Sequence, residues 1–343
     1  MGKYILKRLG YMLIVLLILS FLMFLLYNAA AGDRAYVKAY GEVKELKNIT
    51  AEQRNAIFEE TYLKYKRAYG TDNPSKIVQY LRWMGFYPYY DGQFNGLVQG
   101  NFGYSEYYRD DVLNVVKAPM KNTIFINIFA TILALAITIP LGIHCAVRRG
   151  KTGDKIMQVL TIVGYSLPTF LISLVFIWLF CSRLGIFPPY GMQTPGSSYT
   201  GFRAFLYYLA LPLIVMTFCS LGGMTRYVRA SMIDALSMDC IKTARAKGLR
   251  EKVIIYSHAW RNALIPIVTL VVGWFLGIFS GSVVIEQIFA INGMGKVMIE
   301  ALKSSDNDLI LLMQLFYVLI ALAGNLIIDI VYGLVDPRVR VNK

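Results

Sequence analysis

Six long apolar runs constrain this chain more than any other feature. They lie at roughly residues 9–31, 122–147, 156–181, 207–228, 263–286 and 309–334. Each is long enough for a helix to cross the bilayer core, which takes about 20 residues. Of 343 residues, 56% are hydrophobic and only 16% are charged, a departure from soluble domains. The chain is therefore read as an all-α polytopic membrane protein with six transmembrane helices. The first run follows Lys3, Lys7 and Arg8. It is too long for a signal-peptide core and has no convincing cleavage site, so it reads as an uncleaved helix.

Lys and Arg in the connections set the orientation. The N-terminus, the 148–155 loop, the 226–262 loop and the C-terminal tail hold 18 of them against five acids. The other side holds 17 against 15 acids. The net charge of +14 is thus a positive-inside signature and not a nucleic-acid footprint. Both termini and the 226–262 loop are expected in the cytoplasm. Cys145, Cys181, Cys219 and Cys240 include no CxxC pair, and none lies in the large outer segment. Disulfides and metal sites are not expected; small apolar fillers are.

The connection between the fourth and fifth runs, Ser237–Pro266, is polar, basic and long for a loop. Ser237 reads as a helix N-cap, with Asp239 in the first turn where the dipole favours an anion. Ile241 and Ala244 share a face, and Lys242, Arg245 and Lys247 load the last turn. Gly248 takes the place of a left-handed C′ residue. A second helix carries Val253, Ser257, Trp260 and Leu264 on one stripe, and Pro266 begins the next apolar run. The small residues Ala244, Ala246 and Gly248 allow another backbone to come close. From these residues alone two readings stand: a basic amphipathic loop on anionic lipid, or a docking elbow for another protein.

The order of residues adds a resemblance. TARAKGL (243–249) followed by HAWRNALIP (258–266) resembles the "EAA" coupling loop of ABC-importer permeases, in the form of the dipeptide/oligopeptide/nickel family (B-type permeases). The general motif is Glu-Ala-Ala, three residues, Gly, then Ile-x-Leu-Pro. Here Lys242-Thr243-Ala244 stands in the Glu-Ala-Ala place, and the gap from Gly248 to Ala263-Leu264-Ile265-Pro266 is longer than in sugar permeases. Both departures are those of the peptide-type version. The resemblance implies a type I ABC-importer fold whose coupling helix docks into a separate ATPase subunit. Asp239, Ala244, Arg245, Ala246, Lys247, Gly248 and Leu249 are the expected ATPase contacts. It also implies a second homologous permease, two ATPase subunits that hold the ATP and magnesium, and an extracytoplasmic substrate-binding lipoprotein. No cofactor is expected in this chain. The expected location is a bacterial cytoplasmic membrane and the expected cargo a di- or oligopeptide, with nickel chelates or glycans as alternatives.

In chain order, residues 1–33 are the first span and end in Gly32-Asp33, as the family's first helix does. Residues 34–121 are expected as a small extracytoplasmic helical cap that holds 12 of the 24 tyrosines. Thr50-Ala-Glu-Gln53 is a capping box, Phe58, Tyr62, Tyr65 and Tyr69 share a face, and Gly70 ends that helix. Asn73-Pro74 starts another that ends at Gly85. A Tyr-rich surface suits lipid headgroups or a protein partner, and two short helices against the outer membrane face fit equally. Gln79–Trp83 and GLVQGNFGYS (96–105) resemble the family's outer segment.

Residues 122–343 are the five-helix permease core, with the coupling loop at 237–262. GKT at 150–152 is no P-loop, because Cys145 stands where its first Gly belongs and no strand leads in. Pro168 in SLPTF (166–170) reads as a kink. SLPTF, LGIFPPYG (184–191), VVIEQIFAINGMGKVMIEAL (283–302) and YGLVDPRVR (332–340) resemble the family at matching places. Gly222-Gly223 can admit close helix packing, and Arg226 and Arg229 mark the cytoplasmic boundary. Gly273, Gly277 and Gly281 form a bare stripe, for packing within the chain or against a second permease. Glu286 either lines a substrate path or is solvated.

Ionisable groups inside the apolar runs are few. Asp329, Glu286 and His144 all lie near edges, where an ion-coupled transporter would hold them near the midplane. No nucleophile–base pair or ligand set suggests an enzyme. A chain with no energy source of its own fits a transport subunit driven by partner ATPases. A channel or a ligand-sensing receptor is the reading from another class.

Overall fold

The computed structural model describes residues 2–30, 32–47, 50–192, 201–279 and 281–335. Among them, helices long and apolar enough to cross a membrane lie within the stretches Ile5–Glu45, which holds two helices, Val112–Val147, Leu206–Ser237 and Asn307–Ile330. Two bent pairs, Thr152–Ser166 with Thr169–Arg183 and Glu251–Leu264 with Pro266–Gly277, raise the number to six. The bends are 105° and 59°, and a proline stands at each. Leu167, before Pro168, is extended (φ −79°, ψ 136°), because the proline ring crowds the helical conformation of its predecessor. The third run is therefore a broken pair and not a kinked helix.

The chain forms two compact units, Met1–Val116 with Glu300–Leu319 and Lys117–Ile299 with Ile320–Lys343. The first thus joins the first span, the cap and a later segment, which the sequence reading kept apart.

In the first unit, α1 (Gly2–Ala30) leads to α2 (Arg34–Glu45), α3 (Ala51–Ala68) and α4 (Lys76–Met84). Asp33 caps α2 by accepting from Tyr36 N at 3.0 Å. Thr50 and Gln53 form the expected box at the start of α3, and Gly85 ends α4 in the left-handed region. α2 was not expected, because its buried stripe is only Ala35, Ala39 and Val43. α4 packs along α1: Tyr80, Phe24 and Leu311 are buried together, and the Tyr80 and Ser20 hydroxyls bond at 2.7 Å. So α4 is fastened to the first span through Tyr80. The hairpin of β1 (Tyr104–Ser105) and β2 (Asp110–Asp111) follows.

Charge pairs tie this unit together. Arg34 bonds Asp308 at 2.9 Å, and Lys38 and Tyr69 both donate to Glu106, at 2.8 and 2.6 Å. Burial alone would raise the Glu106 carboxyl, but those two hydrogen bonds hold it below the usual carboxylate range. The bond to Glu42, with burial, pushes the Tyr65 hydroxyl up to about 12.

The second unit takes in most of α5 (Val112–Val147), then α6 (Thr152–Ser166), α7 (Thr169–Phe176) and a π-helical end, Ile177–Arg183. α8 (Gly201–Ser237), α9 (Asp239–Ala246) and α10 (Glu251–Val253) come next. A π-helical stretch, Ile254–Ala259, feeds α11 (Trp260–Gly277). α12 (Val283–Ile288), α13 (Met294–Ser304) and α14 (Asn307–Val335) complete the described chain. α6 and α8 approach closely at Gly222, where a Cβ would meet Thr161 O at 2.5 Å. Of YGLVDPRVR, residues 336–340 lie outside the described residues.

Candidate functional site

The corner between α8 and α11 is built on one stripe of α8. Met224, Val228, Met232 and Ala235 recur at helical spacing and are buried. They pack with Ile143 and Ala146 of α5, Ile241 and Ala244 of α9, and Ile254, Ala259, Ala263 and Ile267 further on. Burying Ile241 fully contributes about 2 kcal/mol. α9 is thus seated on the ends of two long helices and not suspended between them.

α8 continues to Ser237, past the apolar run that ends at 228. Ser237 is its last residue, and its Oγ donates back to Asp234 O at 2.7 Å. The N-cap of α9 is Met238, in an extended conformation with no side-chain bond. The Ser237 cap is corrected accordingly. Asp239 opens α9 and pairs with Lys242 at 2.8 Å, as an i,i+3 pair on a helix surface does.

The end of α9 is a Schellman turn. Gly248 N donates to Arg245 O at 2.9 Å and Leu249 N to Ala244 O at 3.4 Å. Gly248 has φ +74°, which L side chains rarely adopt, and a Cβ there would meet nothing within 4 Å. Arg245 Nε bridges the corner to Glu251 at 2.9 Å.

The outcome for the expected contacts divides. Asp239, Arg245, Ala246, Lys247, Gly248 and Leu249 are exposed. Ala244 is not: it is 6% exposed and belongs to the core under α9. Its small side chain lets α9 approach its own chain and offers no surface to a partner.

The π-helical stretch explains a second difference. The buried stripe steps five residues from Ile254 to Ala259, then four to Ala263 and four to Ile267. A π turn takes up the extra residue. The expected stripe of Val253, Ser257, Trp260 and Leu264 is therefore the less buried side.

A second fastening was not foreseen. Arg229 Nε and Nη2 donate to Asp154 Oδ1 and Oδ2 at 2.6 and 2.8 Å, and Gly150 N donates to Asp154 at 2.9 Å. The Asp154 side chain is fully buried. This fork ties the start of α6 to α8 about two turns before the end of α8. The sequence showed the two only as loop charges 75 positions apart.

Glu286 is 4% exposed, so the solvated reading is corrected. It accepts from Thr123 Oγ1 at 3.0 Å and Lys296 N at 2.9 Å. A Cβ on Gly281, Gly293 or Gly295 would lie 2.9, 2.4 or 3.0 Å from Glu286 carboxyl atoms. Gly281 belongs to this knot, beyond the end of α11, and not to a helical glycine stripe. Gly273 and Gly277 remain on α11 with nothing within 4 Å of an added Cβ.

Comparison with known proteins identifies the family of the chain. Residues 138–341 match the family model described as "binding-protein-dependent transport system inner membrane component". The oligopeptide transport system permease protein AppB of Bacillus subtilis (strain 168) is 32% identical over 341 residues, covering 99% of this chain and 100% of the relative. The dipeptide transport system permease protein DppB of Lactococcus lactis subsp. cremoris (strain MG1363) is 31% identical over 341 residues, with the same coverage. A solved structure of the MetNI methionine ABC transporter in inward-facing conformations superposes with a TM-score of 0.50 at 15% identity. It covers 64% of this chain and 97% of its own, and it speaks to the type I importer fold alone. The chain belongs to the family of binding-protein-dependent transport system inner membrane components and is a multi-pass permease subunit of an ABC importer.

Proposed function

We propose that this permease imports di- or oligopeptides, and that the corner at Gly248 is where an ATPase subunit grips it. Relatives that align over their full length are named as oligopeptide and dipeptide permeases, which supports the peptide reading. The observation that carries the grip is the two-sidedness of α9. Ile241 and Ala244 seat it in the chain's own core, while Asp239, Arg245, Ala246, Lys247, Gly248 and Leu249 face out. A push on the exposed side passes through packed side chains into α8 and α11. ATP-driven closure of two ATPase subunits, which hold the ATP and magnesium, would tilt those helices and switch the cavity between its two openings. A second homologous permease supplies the other half of the path, and the bare α11 surface at Gly273 and Gly277 suits close helix packing against it. An extracytoplasmic binding lipoprotein delivers cargo. The corner and both termini face the cytoplasm, on the charge argument.

Substitutions at Gly248 test the grip. Alanine there meets nothing in this chain but forces an L residue to φ +74°, a strain of about 1–2 kcal/mol. Tryptophan adds bulk at similar strain. The expectation is that Gly248→Trp inserts normally yet abolishes peptide uptake and ATPase co-purification, while Gly248→Ala keeps partial uptake. Equal behaviour of the two variants would mean that no partner occupies the corner.

A further inference from the structure

Arg226 is an exposed cation on α8 that makes no ion pair or hydrogen bond among the described residues. It lies one turn from Arg229, on the side toward the membrane interior. With Gly223, Tyr227, Ala230, Gln158, Tyr165 and the Asp154-paired Arg229 it lines a groove of about 520 Å³ between α8 and α6. The stripe continues along α8: Gly223, Arg226, Tyr227, Ala230 and Asp234 are all exposed. It contains no aliphatic side chain larger than alanine. By contrast, α1 exposes Leu13, Ile14, Ile18, Leu22 and Leu26, as a lipid-facing helix does.

An exposed stripe that carries Arg and Asp and lacks large aliphatics is not a lipid face. Arg226 stands at the cytoplasmic end of the apolar run and Asp234 six residues beyond it, so the stripe begins at the membrane edge and faces water or the bundle interior instead of acyl chains. Asp234 also argues against an anionic headgroup site, because a negative membrane surface repels it. Resting on the peptide-import reading, we infer that this stripe lines the cytoplasmic half of the translocation path, and that Arg226 pairs with the carboxylate of the passing peptide. A guanidinium presents two parallel N–H donors to a carboxylate, and such charge-assisted pairs are about twice as strong as neutral hydrogen bonds. A single free arginine at a wet edge gives a brief hold, which suits a station that must also release.

Two measurements on the assembled complex test this. In a background with the four native cysteines replaced, Arg226→Cys, Tyr227→Cys and Ala230→Cys should react with a charged, membrane-impermeant thiol reagent from the cytosolic side. Leu13→Cys should not. In the native background, uptake is compared for a tripeptide with a free carboxylate and an amidated peptide, both accepted by the wild type. Arg226→Gln should slow the first about tenfold, the worth of one charge-assisted bond. It should change the second less than twofold, and Arg226→Lys should restore most of the loss. Unreactive cysteines in a complex that takes up peptide, or equal loss for both peptides, would overturn the assignment. A complex that reacts along the stripe but takes up no peptide sinks the peptide reading and leaves the path lining in place.

Discussion

At the scale of single residues, Asp154 has the most to lose. Its carboxylate is buried, takes both prongs of Arg229, and caps the loop through Gly150 N. Removing the carboxylate leaves Arg229, itself 20% exposed, without its fork, which costs about 2 kcal/mol. Asp154→Asn should therefore destabilise the purified permease by roughly that amount in thermal or denaturant unfolding. Arg229→Lys should cost less, because an ammonium keeps the charge but not the fork. If Asp154→Asn melts like the wild type, the fork is ornamental. Nothing local in the sequence announces this pair, since burial, not residue type, separates Asp154 from the other loop acids. Glu286 escaped for the same reason. The glycines that crowd its carboxyl were visible, but the carboxyl they surround was not.

At the scale of elements, the π-helical stretch before α11 is the most informative departure from regular geometry. Its extra residue sets the height and facing of the corner relative to the span. Deleting Ser257, which is exposed, shortens the Ile254-to-Ala259 step from five to four. Four is the α-helical spacing, so the buried stripe through Ala263 and Ile267 survives and the helix tightens by one rise, about 1.5 Å. The deletion variant should insert and fold. Its corner should then be displaced from its partner, with uptake falling at least tenfold while expression stays within twofold. Normal uptake would mean that the corner's position is not what transmits force.

The stop at Gly248 was legible because a left-handed cap has a strong residue preference. The α3 capping box was legible for the same kind of reason. The π stretch was not, because a single five-residue step looks like noise against a 3.6 period. Ser237 was misread as a cap because α8 outlasts its apolar run, and apolarity was the only marker of where it ended. Ala244 was assigned to the wrong face because a small residue suits close approach to a partner and to its own core alike.

At the scale of the whole molecule, spans and charge asymmetry carried most of the reading. Six crossings follow from length and apolarity, although two of them are bent pairs. What the asymmetry predicts beyond that is a sidedness, and Cys240 offers a direct probe of it. It is the exposed member of the four cysteines, on α9 one residue after Asp239, while Cys145 is buried. A membrane-impermeant thiol reagent should modify Cys240 from the cytosolic side of everted vesicles and leave it untouched in intact cells. Asn55→Cys, on the exposed surface of α3, should show the opposite sidedness. If α9 is where the ATPase sits, the partner covers this thiol, and modification should slow about tenfold when the ATPase subunits are present, a free-energy difference of about 1.4 kcal/mol. Modification of Cys240 from outside would invert the topology and remove the corner from any cytosolic motor. Modification from inside at the same rate with and without the ATPases would keep the topology and place the grip elsewhere.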